Sequence, residues 1–548
     1  MNSSSATIYT AISFAPVQGF IEKSRKLRDL HGASLILSYL SSKLVEQALK
    51  QNFEVISPGL VNVKEGMPNR ILIKGSTALN RDDVKNTLIA EWGAILDRCR
   101  LWVERRLDKE EYQWSQADND KGIQKGEWER WKSYNWEVFW GHGSTVTAAM
   151  EDLETRKLKR DWIGINWVGE SSSLSGTDAI AWPGLGQESN RPWEWSRHQD
   201  SVTQFYEQLA SSLEQSADGN LLGNFLDPSE RLSIPELVKR LITRYEDIGQ
   251  HFGKDFRFDS LSEMVRLPQP NQPGHWTGWF MGDGDSVGDK LKELAKNPND
   301  VQPLKTFSNA MRKWGQDFKH NFPKNLGRVI YAGGDDFLGV IYSKDPKAAI
   351  PENQALQWLM GLNQQWQAHG QPITLSVGFV WAGHSVPQRD VLQHCREAEK
   401  RAKTLGKNRV TIRVLFNSGQ YVQWTCPWAD LDILTKYRDR DGVNTQEEIR
   451  KGSEKRANWN HLYSDWATLK ARHAIRLEAN EEESVKNEVA IQIFDFYFDQ
   501  AATRFTSERK WNDFIGNISE RRERDLAIMN WMDDLIQVGW QLCRNSDR

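Results

Sequence analysis

The period of the apolar positions changes several times along the chain, and those changes predict its elements. Over residues 7–15 apolar and polar residues alternate as in a strand, with Ile8, Ala11, Ile12 and Phe14 among them. Leu27, Leu30, Leu35, Leu37, Leu40 and Leu44 then fall near helical spacing. Residues 53–59 and 67–73 read as short strands, and 84–101 as a second helix. Strand, helix, two strands, helix is the order expected of a ferredoxin-like fold. A similar alternation resumes further on. Trp279-Phe280-Met281 is a short apolar run, and a helical pattern starts at Lys290. Two apolar runs, 329–332 and 337–342, flank a glycine–aspartate turn and predict a β-hairpin. Residues 373–381 and 410–414 read as further strands, with a helix between them that ends near Gly406. Beyond Trp424 the pattern is helical, and 482–505 and 515–543 each set an apolar stripe against a charged face.

Between these parts, residues 108–256 are rich in Trp and polar loops, with helical runs such as 236–242. The expectation is an α+β protein in four parts: 1–107, an insert at 108–256, 257–424, and a C-terminal helical bundle at 425–548. With 548 residues there is room for that many domains.

Charge narrows the partners. The 71 basic and 74 acidic residues nearly balance, so no whole-molecule field draws in naked nucleic acid, and any RNA contact must be local or shared with other chains. Cys99, Cys395, Cys426 and Cys543 form no C-x-x-C pair, which argues against a disulfide framework or a cysteine zinc site. With no secretory signal and no apolar run near 18 residues, a cytoplasmic protein is expected. The 25 tryptophans read as packing or interface anchors rather than chemistry.

Candidate chemistry concentrates at two acidic turns. Gly333-Gly334-Asp335-Asp336 occupies the hairpin tip. The glycines permit positive φ and close approach of a ligand to the backbone. Adjacent carboxylates repel unless a cation or donor lies between them, and oxygen-only ligands suit Mg²⁺ (or Mn²⁺) with substrate phosphates. Alone, these four residues could equally be a solvated turn. The second turn, Gly282-Asp283-Gly284-Asp285-Ser286, ends a strand and leads into a helix, which puts a carboxylate and backbone N–H groups at a sheet edge. If the strands are neighbours, Asp283, Asp335 and Asp336 converge, enough for one or two metal ions clamping an in-line phosphoryl displacement. A third segment, Ala402-Lys403-Thr404-Leu405-Gly406-Lys407-Asn408, follows a helix. Its lysines could simply complement the helix dipole.

Together the three segments resemble the palm domain of the nucleotide cyclases with the Gly-Gly-Asp-Asp/Glu signature. That likeness implies a phosphate-binding role for Lys403. The opening looks more specific still. Phe20-Ile21, then Ser24-Arg25-Lys26-Leu27-Arg28-Asp29-Leu30-His31-Gly32-Ala33-Ser34, and Pro68-Asn69-Arg70 resemble the first palm of the large subunit of type III-B (Cmr) CRISPR effector complexes.

The resemblance implies two ferredoxin-like palms of nucleotide cyclase/polymerase type, the first catalytically silent. Asp29, the acid of the first palm's opening motif, reads as a surface or capping charge. The expected catalytic acids are Asp283, Asp335 and Asp336. Those three, with the Gly284 backbone, would hold the metal. Gly333, Gly334, Asp285, Ser286, Lys403 and Lys407 would meet the nucleotide. ATP would be the substrate, cyclic oligoadenylates the product, and target RNA paired with guide crRNA the trigger. Partners would be the backbone, small and guide-end-capping subunits of the complex, with no membrane.

Two departures from the family pattern stand out. Gly169-Glu170-Ser171-Ser172-Ser173-Leu174-Ser175-Gly176 carries serines where a zinc module would carry cysteines, so no structural zinc is expected. Gly141-His142-Gly143 and His198 could be leftover ligands, although loop histidines are more often surface residues. His384, in the loop after the 373–381 strand, could approach a nucleotide or metal, although a loop-positioned neutral histidine is the safer reading. No His-Asp dipeptide occurs in the sequence and the chain starts near the first palm strand, so the family's histidine–aspartate nuclease activity is expected to be missing. Two rival readings remain: a quiet scaffold subunit, or a free-standing cyclase using GTP.

Overall fold

A computed structural model describes the chain except for residues 1–6, 65, 115–125, 161–163, 166, 168, 186–194, 215–224, 258–263, 265, 269–272, 298–299, 346, 454, 478–487, 499–507 and 544–548. It forms two compact units. The first is Met1–Met264 with Gly288–Gln316 and Ile330–Gly334. The second is Val265–Val287 with Asp317–Val329 and Asp335–Arg548.

The first unit is built on four strands, β1 (Ile8–Ala15), β2 (Glu54–Ser57), β3 (Arg70–Gly75) and β4 (Glu137–Gly143), in the order β2-β3-β1-β4. All three pairings are antiparallel. Helices Leu27–Lys50 and Arg81–Leu107 connect them, which completes a ferredoxin-like βαββαβ topology. The helical leucines face inward. Leu30, Leu40 and Leu44 join Ile12, Ile71, Trp92 and Trp136 in one core, with Phe205 and Leu237 from the Trp-rich stretch packed into it.

The fourth strand was not expected, because it lies within residues 108–256. Its glycines hid it. A Cβ on Gly141 would come within 2.3 Å of the Leu153 backbone nitrogen, on a helix (Val146–Leu158) that crosses close above. Gly141-His142-Gly143 is therefore a close-packed strand end. The His142 backbone N–H donates to Asp152 at 2.9 Å.

Asp29 also differs from a surface charge. As expected of a cap, its carboxylate accepts the backbone N–H groups of Arg25 and Lys26 at 3.0 and 2.9 Å. It is, however, only 1% exposed, and it takes both forks of the buried Arg240 guanidinium at 2.8 and 2.9 Å. Arg240 in turn reaches Glu230 at 2.6 Å. In the serine stretch, the Ser172 hydroxyl donates to Glu236 at 2.5 Å.

The second unit contains β5 (Thr277–Gly284), β7 (Asp336–Ile341), β8 (Leu375–Ala382), β9 (Arg409–Leu415) and β10 (Tyr421–Pro427), and β6 (Gly327–Ala332) begins in it. The sheet order is β10-β9-β8-β5-β7-β6. Its β8-β5-β7-β6 part repeats the ferredoxin-like order of the first sheet. Phe280, Phe318, Phe322, Phe337 and Trp358 pack together over one face. Helix Gln388–Thr404 covers the other and carries the chain from β8 to its parallel neighbour β9. The C-terminal part is helical as expected. Trp466 on helix Trp459–Ala471 donates to Asp533 on helix Arg521–Cys543 at 2.7 Å, and Trp531 donates to the Thr425 carbonyl at 2.9 Å. Of the expected 482–505 helix, Glu488–Tyr497 is described, and its two ends lie outside the described residues. Among the described residues, no helix is long and apolar enough to cross a membrane.

Candidate functional site

The site lies where β5 ends and β7 begins. In their antiparallel ladder Asp283 stands directly opposite Asp336, and on its other side Asp283 faces Ser376 of β8. Directly opposed residues project from the same sheet face with Cβ atoms about 5 Å apart, so two half-buried carboxylates share one spot. The neighbouring turn is tied in as well, since the Gly284 N–H donates to the Asp335 carbonyl at 2.8 Å.

The covering helix brings a cation to the same face. Its approach is close because β8 has Gly378 beneath it: a Cβ there would lie 2.1 Å from the Cys395 carbonyl oxygen and 2.5 Å from the Glu399 nitrogen. One turn beyond Glu399, Lys403 bonds the Asp283 carboxylate and lies 2.9 Å from Glu399 Oε1. Burial pushes the Asp283 carboxyl above the usual range against the pull of Lys403. Burial raises Glu399 too, and Asp283 and Asp285 add to it. For Lys403, burial opposes the charge, but Asp283 and Glu399 outweigh it and hold the ammonium above its ordinary pKa.

Asp285 is placed differently from expectation. It is 4% exposed, and its two oxygens are taken by Ser376 at 2.6 Å, Thr374 at 2.8 Å and the Asn408 N–H at 2.9 Å. It fastens the framework. Ser286 and Lys407 are exposed and meet each other, with Lys407 Nζ donating to Ser286 Oγ at 2.6 Å. Gly333 and Gly334 fall in the first unit, where Gly334 takes φ +146° and the Gly333 carbonyl accepts from buried Arg312 at 3.0 Å. His384 is engaged in its own loop, 2.9 Å from Ser385 Oγ and 3.0 Å from Asn417.

Among the described residues, no group of three or more acids, histidines or cysteines is close enough together to hold a metal. The facing pair Asp283 and Asp336 is the preassembled part. Two carboxylates fit Mg²⁺ bound with substrate phosphates, and the Lys403 ammonium on Asp283 marks the spot as one that favours a cation. Glu399, Gly378 and Arg312 were missed from sequence. The spacing of Glu399 four residues before Lys403 was the available signal for the first.

This fold and site define a protein with two palm-like domains and an acidic pair in the second. Residues 277–411 match the family described as Cas10/Cmr2, second palm domain, and residues 9–97 match the CRISPR-associated protein Cmr2 N-terminal family. Two separate stretches of the chain thus match models of the Cas10/Cmr2 family. Among solved structures it is similar to a chain of the type III-B Cmr-beta apo state, with 12% identity, TM-score 0.57, 97% of this chain and 82% of that one covered. It is also similar to a chain of a Csm1–Csm4 cassette in complex with cA4, with 14% identity, TM-score 0.47, and 98% and 70% covered. A comparison with curated proteins gave no match.

Proposed function

We propose that the chain is the nucleotidyltransferase subunit of a type III-B CRISPR effector complex, and that it makes cyclic oligoadenylates from ATP when target RNA pairs with the guide. The observation that carries this reading is Asp283 facing Asp336 at the β5–β7 end with Lys403 drawn onto the same spot. The matches of residues 277–411 and 9–97 to Cas10/Cmr2 models agree with it.

Asp283 and Asp336, with Asp335 beside them, hold Mg²⁺ or Mn²⁺, and the Gly284 backbone contributes to the metal site. Once bound, the cation supplies charge neutralisation for the triphosphate and makes a 3′-hydroxyl easier to deprotonate. Lys403 and Lys407 meet phosphate oxygens, and Ser286, paired with Lys407, lies within reach of the same group. Asp285 holds the loop that carries Lys407. The roles of Gly333 and Gly334, close backbone approach to the nucleotide, rest on their place next to Asp335 in the sequence. The partners are the other subunits of the complex, the guide and the target RNA.

The test is to assemble the chain with its partner subunits and guide RNA, then add labelled ATP, Mg²⁺ and matching target RNA. Target-dependent oligoadenylate that vanishes with Asp335→Ala plus Asp336→Ala supports the reading. Tight target binding with no product from the wild type makes the chain a scaffold instead.

A further inference from the structure

We propose that Glu399 is a positioning residue that draws the Lys403 ammonium off Asp283 when a divalent cation takes that carboxylate. The inference rests on the metal-dependent reading of the site given above and assigns a new role within it.

One ammonium serves two carboxylates that come from different elements. Lys403 bonds Asp283 at the end of β5 and lies 2.9 Å from Glu399 Oε1, one helical turn back on its own helix. A Glu–Lys pair at this spacing is usually a solvated surface pair that contributes little. This one is not on the open surface: the Glu399 side chain is 13% exposed, and Lys403 and Asp283 are 32% and 33% exposed. The close seat of the helix on Gly378 fixes where Glu399 sits.

Two cations cannot share the Asp283 carboxylate at contact distance without strong repulsion, so a bound divalent ion displaces the ammonium. A displaced lysine with no second partner would pay to leave a half-buried carboxylate and would compete with the metal. Glu399 removes that cost. It keeps Lys403 charged, ordered and one step from the metal, where phosphate oxygens would arrive.

The role predicts a pattern that simple loss of negative charge does not. Mn²⁺ binding to the full chain is measured by the electron paramagnetic resonance signal of free Mn²⁺, without nucleotide, beside thermal melting to check folding. Glu399→Gln is expected to weaken Mn²⁺ binding about tenfold, because Lys403 then stays on Asp283. Lys403→Met is expected to tighten binding. The double variant Glu399→Gln plus Lys403→Met is expected to bind as tightly as Lys403→Met alone, so the two changes are non-additive. A double variant about tenfold weaker than Lys403→Met alone would overturn the inference, since Glu399 would then act only as a nearby charge. Mn²⁺ binding that Asp283→Asn abolishes but Glu399→Gln leaves unchanged would also overturn it while sparing the metal site. A wild type that binds no Mn²⁺ with or without ATP would overturn the metal-site reading and this inference with it.

Discussion

The Asp285 carboxylate accepts the backbone N–H of Asn408 at 2.9 Å, and that bond fastens the end of β5 to the turn that carries Lys407. The turn is a costly one. Lys407 and Asn408 adopt φ of 65° and 51°, left-handed values that side chains other than glycine rarely take. Such a turn persists only if its surroundings hold it, and Asp285 is buried with hydroxyls of Thr374 and Ser376 on its other bonds. Asp285→Ala should therefore cost roughly 2–4 kcal/mol by stranding three donors. Asp285→Asn, which keeps an acceptor for Asn408, should cost less. Thermal melting of the two variants beside the wild type checks the order, and equal melting would refute the role.

A second prediction concerns acid stability. The Arg240 pair and the capping N–H groups outweigh burial and hold the Asp29 carboxyl down, at about 2 instead of its ordinary 3.8. A carboxyl depressed on folding adds stability above its unfolded pKa, and that stability drains away as pH falls through the folded one. The contribution is thus complete above about pH 4–5 and lost toward pH 2, roughly 2 kcal/mol in all. In denaturant titrations across pH 2–6, Asp29→Asn should flatten this slope. Asp29→Ala at pH 7 leaves Arg240 buried with one partner fewer, at a cost of about 3–5 kcal/mol. An unchanged slope in Asp29→Asn would place the acid sensitivity elsewhere.

Gly378 supplies a third. Its Cβ would strike the backbone of the helix that carries Glu399 and Lys403, and backbone cannot rotate away as a side chain can. Gly378→Ala should lift that helix, cost about 1–3 kcal/mol and move Lys403 from Asp283. Product formation should fall further than the modest loss of stability explains. Activity at wild-type level in a folded Gly378→Ala protein would contradict this placement.

How far these features were legible varied with how local their causes are. The strands of the second sheet declared themselves because β-branched and aromatic runs such as Val329-Ile330-Tyr331 are bounded by glycine turns. The facing of Asp283 and Asp336 needed only that two acid-ended strands be neighbours. By contrast, β4 was obscured because Gly141 serves a helix crossing above it, a demand set by tertiary packing. The hydrogen bonds that hold Asp285 were not legible, because its partners are 89 to 123 residues away. Asp29 was legible as a cap, but its ion pair with Arg240 spans 211 residues.

The Asp283–Asp336 pair is the centre of the proposed chemistry. We would measure the rate of oligoadenylate formation by the assembled, target-bound complex with Asp283→Asn and, separately, Asp336→Asn, each checked for intact assembly. Loss of one metal-holding charge should lower the rate roughly 100-fold or more in either variant, with target binding unchanged. Near wild-type rates in both variants would contradict the assignment of chemistry to this pair of strands.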